Sequence, residues 1–125
     1  MIPMMIAENV CFKSTYVEEQ CDIHISRYAQ KSDAGNIIPA MLVTMHGSEE
    51  VVCKASFAPH HEELPKDHIM IKSWSENEGV PSALINLGIV EETDLCKDIN
   101  GIKTVVYRMT ESTRKVWHEY LKTAE

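Results

Sequence analysis

Val10-Cys11-Phe12-Lys13-Ser14-Thr15-Tyr16, followed across Val17-Glu18-Glu19-Gln20 by Cys21-Asp22-Ile23-His24-Ile25-Ser26-Arg27-Tyr28, decides the fold class. In the first run Val10, Phe12, Ser14 and Tyr16 share one face; in the second, Cys21, Ile23 and Ile25 do. Side chains alternate across a strand with period two, so both runs read as half-buried strands. The polar break between them predicts an antiparallel hairpin turning at 17–20. Ile37–Met45 is apolar on both faces and reads as a central, doubly covered strand. Val51–Phe57, His68–Trp74 and Ile102–Met109 bring the count to six, the last leaving an Asn100-Gly101 turn. Loops fall at Ser32–Asn36, His46–Glu49 and between Pro59 and Pro65.

Two segments switch to the helical period. Near the C-terminus Thr113, Val116, Trp117, Tyr120, Leu121 and Ala124 recur at three-and-four spacing, with Arg114, Lys115, His118 and Lys122 opposite. That is one apolar stripe on a helix over 111–123, with Thr110 as N-cap and Glu111 in the positive first turn. The second helix lies within Ser75–Leu87 and stops at Gly88, a residue suited to the left-handed C′ position. Ser75-x-x-Glu78 has the form of a capping box. Pro81 conflicts with a start at Ser75, since it would remove a bond to Asn77 from the helix interior. A start with Asn77 as N-cap, or a later one with Pro81 itself at the first helical position, is compatible, with Ser75–Glu78 as a folded turn leading in. The expectation is therefore an α+β fold: a curled antiparallel sheet of five or six strands carrying helices at about 77–87 and 111–123.

With 125 residues, 44% of them apolar, the chain is expected to form a single domain, 1–125. Its 12 Lys and Arg against 19 Asp and Glu give a net charge of −7. No stretch concentrates basic residues, which disfavours direct nucleic-acid binding. No apolar run approaches the ~18–20 residues of a membrane span, so no membrane partner is expected. Met1–Ile6 is apolar without a basic n-region, and a cytoplasmic location follows as the expectation. Cys11, Cys21, Cys53 and Cys96 form no C-x-x-C pair, so they read as free thiols that are mostly buried.

Chemistry-bearing motifs are sparse. His60, His61, Glu62, Glu63 and His68 are the densest set of metal-ligand types, but Pro59 and Pro65 preclude the helix that H-E-x-x-H requires. An exposed polar loop is the simpler reading, and no metal or other cofactor is expected. Ser75 lies in no G-x-S-x-G elbow, and the five glycines form no phosphate-cradling loop. No catalytic residue is assigned. The segment that stands out is Trp74-Ser75-Glu76-Asn77-Glu78, which concentrates an aromatic, a hydroxyl, an amide and two carboxylates where a strand meets a helix.

Lys72-Ser73-Trp74-Ser75-Glu76-Asn77-Glu78-Gly79, with Ala83-Leu84 and Leu87-Gly88-Ile89-Val90-Glu91, resembles a pattern in small proteins of phages, plasmids and other mobile elements. In that group, generally without an assigned biochemical role, a strand ends in an aromatic and Ser-Glu-Asn-Glu-Gly opens a helix. Pro81 departs from the pattern. The resemblance implies an accessory role on a mobile element and carries over no catalytic residue. Ala83–Glu91 with Gly101–Glu111 is also similar to the end of a winged helix-turn-helix domain. The charges oppose that likeness, because Ser75–Leu87 has no Lys or Arg to enter a groove and places Glu76 and Glu78 toward the phosphates. The functional expectation is a non-enzymatic protein that sequesters or inhibits a host protein with a basic surface, through Trp74, Ser75, Glu76, Asn77 and Glu78. The alternative is a small-ligand binder or enzyme with a pocket at the 74–79 turn.

Overall fold

A computed structural model describes residues 2–59 and 61–123. The strands are β1 (Met4–Lys13), β2 (Glu18–Arg27), β3 (Pro39–Met45), β4 (Val51–Lys54), β5 (His68–Met70), β6 (Val90–Glu91), β7 (Cys96–Ile99) and β8 (Ile102–Met109). The helices are α1 (Val80–Asn86) and α2 (Glu111–Thr123), with a 3₁₀ turn at Ser75–Asn77 before α1. The fold is α+β, as the hydrophobic pattern predicts. In place of one sheet of five or six strands there are two antiparallel sheets of four. The first runs β1-β2-β3-β4; in the second, β8 is flanked by β5 and β6 and also pairs with β7. A single bridge between Ser56 and Ile71 joins them.

β3, β4 and β5 are shorter than the apolar runs predicted, and the departures in the first hairpin and beside β8 have local causes. β1 begins six residues earlier than its alternation suggests, because Glu8 and Asn9 together face Asp22 in a bulge that breaks the period. Asn9 takes φ 54° there. The β1–β2 turn sits at 14–17, closed by the Ser14 amide on the Val17 carbonyl at 2.8 Å, and Lys13 pairs with Glu18. Glu18-Glu19-Gln20 is polar because this end of the hairpin is exposed, although it is still paired. β6 and β7 have no clear alternation and are revealed only by their partner β8. The turn between β7 and β8 has φ 53° at Asn100 and 82° at Gly101, the pair of positive values that an Asn-Gly hairpin turn requires.

The core lies between the sheets and the helices. Phe12, Ile23, Ile25, Val43, Ile69 and Leu84 are among its buried members. The α2 stripe is buried as predicted at Thr113, Trp117 and Tyr120, while Val116 and Leu121 are partly covered; Ala124 lies outside the described residues. Trp117 stacks on Tyr120 with centroids 5.7 Å apart. Thr110 accepts the first α2 backbone bond from Arg114 and uses its hydroxyl to donate to the Gly88 carbonyl at 2.7 Å, tying α2 to the end of α1. α1 ends in a Schellman motif, with the Gly88 amide on Ile85 and the Ile89 amide on Leu84. All four cysteines are free: Cys21 and Cys53 are buried, Cys96 is intermediate and Cys11 is exposed. Burial pushes the Cys53 thiol up to about 11, so it serves as packing rather than as a nucleophile.

Two predictions follow from this packing. Trp117→Ala removes a large aromatic that is 4% exposed and should cost about 3–5 kcal/mol, read as a lower urea midpoint. Asp22 is a buried carboxylate whose hydrogen bonds to His46 and to the Asn9 and Gly47 amides hold it at about 2, below its ordinary 3.8. A depressed folded-state pKa contributes stability above the unfolded value and loses it as pH falls. Thermal midpoints of the wild type should therefore drop between pH 3.8 and about 2, and Asp22→Asn should flatten that segment of the curve.

Candidate functional site

The 74–79 turn is fastened to the fold at the C-terminal end of its backbone and through one inward side chain. The Thr15 amide, in the β1–β2 turn, donates to the Glu78 carbonyl at 3.1 Å. Gly79 has φ 82° and packs so closely that a Cβ there would lie 2.7 Å from the Thr15 hydroxyl and 2.8 Å from its amide nitrogen. Glycine is needed here for both the conformation and the space. On the inner side Asn77 is buried, and its side-chain amide donates to the Lys54 carbonyl at the end of β4, 3.0 Å away.

The capping expectation is corrected. Ser75 makes no side-chain capping bond; it has φ 58° and begins the 3₁₀ turn. α1 starts at Val80, later than 77, with Gly79 as N-cap and Pro81 in the first turn. Proline fits there because first-turn amides lack intrahelical acceptors. The Glu76 backbone amide, with the Ser75 hydroxyl and the Lys72 charge, holds the Glu76 carboxyl below the usual carboxylate range.

The turn thus divides into two faces. Asn77 points inward and is structural. Trp74, Ser75, Glu76 and Glu78 are exposed. Trp74 is 49% exposed and meets Phe57 edge-on, with centroids 5.4 Å apart. Tyr16, which its alternation would have placed in β1, lies in the hairpin turn, is 68% exposed and shares an open depression with Ser75 and Glu76. Sequence reasoning missed Tyr16 as a neighbour of this turn, since the contact depends on how the hairpin folds over Gly79.

Other polar clusters lie elsewhere. His60 falls outside the described residues. His61 pairs with Asp33 at 2.9 Å, which raises its pKa, and His68 donates from Nδ1 to the Lys66 carbonyl at 2.8 Å. These two rings serve local partners and do not converge. Among the described residues the side chains grouped closely enough to hold a metal ion are Glu8, Asp22 and His46, with ligand atoms within 4.8 Å of one another. They come from separate strands and turns, so no spacing announced them. Both Asp22 oxygens are already engaged by Asn9, Gly47 and His46, so the cluster serves the bulge and the β3–β4 turn. A larger cleft of about 550 Å³ opens between the 31–39 and 59–68 loops and α2, with Ile38, Leu64, Leu121 and Trp117 among its lining. Glu63 fastens the loops by accepting from Ser32, Asn36 and the Ala34 amide. No helix among the described residues is long and apolar enough to cross a membrane.

No protein-family model, no curated protein and no solved structure matches this chain.

The two faces of the turn should separate in mutants. Asn77→Ala should cost about 1–3 kcal/mol, as for a polar contact with a buried side. Gly79→Ala should cost more than about 1–2 kcal/mol from the left-handed backbone alone. Ser75→Ala and Glu76→Ala should each change stability by less than about 0.5 kcal/mol, as exposed substitutions do. Urea denaturation of the four variants measures the contrast.

Proposed function

We propose that this chain is a non-enzymatic binding protein, an accessory factor of a phage or other mobile element, that sequesters or inhibits a host protein with a basic surface. The contact face comprises Trp74, Ser75, Glu76 and Glu78, extended by Tyr16. The observation that carries this reading is the exposure of two large aromatics beside exposed carboxylates, on a turn anchored by Thr15 and Asn77. Trp and Tyr supply much of the energy of protein contacts when they enter a partner's pocket. The net charge of −7 adds long-range attraction to a basic partner and raises the association rate. Because the face presents carboxylates, the partner is a protein rather than a phosphate backbone.

A small-ligand reading has one observation in its favour. The surface at 74–79 is an open depression, whereas the cleft floored by Trp117 has the size of a small-molecule site. A ligand-binding role belongs to that cleft rather than to the turn.

Immobilised protein incubated with bacterial lysate tests the contact face. Wild type and an exposed-turn control, Glu49→Ala, should enrich the same basic protein, more strongly at low salt. Trp74→Ala and Glu76→Lys should each lose it. Enrichment of no protein at either salt, or undiminished capture by both variants, would count decisively against the proposal.

A further inference from the structure

The carboxylates of this protein differ in what they are doing. Asp22 and Glu63 each accept three hydrogen bonds, and Asp67 is paired with His118 at 2.8 Å. Glu76 has no cationic partner within ion-pair distance among the described residues. A carboxylate offers about four acceptor positions, and Glu76 is exposed, so its oxygens face solvent.

The depression that Glu76 lines is completed by Ser75 and by the exposed ring of Tyr16, and has an open volume of about 380 Å³. Tyr16 is held near the carboxylate because the Thr15 amide is bonded to Glu78 and Thr15 is packed on Gly79. An aromatic ring beside an exposed carboxylate without an ion-pair partner matches the two ways a guanidinium binds: flat against a ring, and by paired N–H donors to one carboxylate. An ammonium matches less well. It is a strongly hydrated point charge, and an open depression does not strip its water, whereas guanidinium is weakly hydrated and planar.

The geometry points to this depression as the seat of an arginine side chain supplied by the partner, a deepening that rests on the contact face proposed above. The guanidinium stacks on Tyr16 and donates its fork to Glu76, while Trp74 covers the neighbouring partner surface.

The test uses the intact protein and three soluble probes, N-acetylarginine amide and its lysine and citrulline counterparts, followed by NMR titration. The arginine compound should give saturable shifts confined to the residues around Tyr16, Ser75 and Glu76. The lysine compound should bind about fivefold more weakly, and citrulline, which lacks the charge, should leave the resonances in place. Glu76→Gln and Tyr16→Ala should each weaken the arginine response by about fivefold while the rest of the spectrum stays put. Equal responses to arginine and lysine, or to arginine and citrulline, would overturn the assignment, as would an arginine response unchanged in Glu76→Gln. The two proposals can fail separately. If Trp74→Ala abolishes partner capture but the arginine compound moves nothing, the arginine seat is wrong and the contact face stands. If the arginine compound binds as described but lysate yields no partner, the seat stands and the host-protein reading is wrong.

Discussion

The contact between the β1–β2 turn and the backbone of Glu78-Gly79 is the constraint on which the exposed face depends. One hydrogen bond from the Thr15 amide and one position without a Cβ bring a hairpin tip onto a helix entrance. Three consequences follow. α1 cannot begin before Val80, because Gly79 is committed to a left-handed conformation. Tyr16 is carried out of its strand and set against Ser75 and Glu76. Asn77, on the other side of the turn, is driven inward to the Lys54 carbonyl. A glycine inside a polar stretch would ordinarily read as flexibility; here a Cβ would have no room.

The parts of the fold legible in the sequence are those in which one periodicity runs undisturbed. The α2 stripe lies where its spacing places it, and Cys21, Ile23 and Ile25 are buried on one face of β2. Gly88 ends α1 in the motif expected of it. The misread parts are those in which a tertiary partner overrides local pattern. Glu8 and Asn9 interrupt the alternation of β1 because a bulge needs two residues opposite Asp22. Glu92 and Asp94 disguise the strand pieces on either side of them, which pair along one edge of β8. Ser75-x-x-Glu78 satisfies the spacing of a capping box, but the Gly79–Thr15 packing leaves no room for a helix to start there.

The candidate site was legible as a segment but not as a surface. The concentration of unusual residues at 74–78 is visible in one dimension. Which of them face solvent depends on a three-dimensional division: Asn77 goes in, while Trp74, Glu76 and Glu78 stay out. Tyr16 could be assigned to this surface only once the hairpin turn had been located at 14–17 rather than 17–20. The same division explains why one short stretch can combine fold-specifying residues with residues free to contact something else.

The bulge at Glu8–Asn9 also shapes how the molecule meets copies of itself. β1 is an outer strand of the first sheet, ten residues long, and a straight strand of that length would offer its unpaired amides and carbonyls as a template for another chain. Two register shifts within β1 break that row of groups and increase the local twist. A neighbouring strand could then pair with only short stretches of it. Asp22, by fastening the bulge from inside, acts at a distance as a guard against edge-to-edge aggregation.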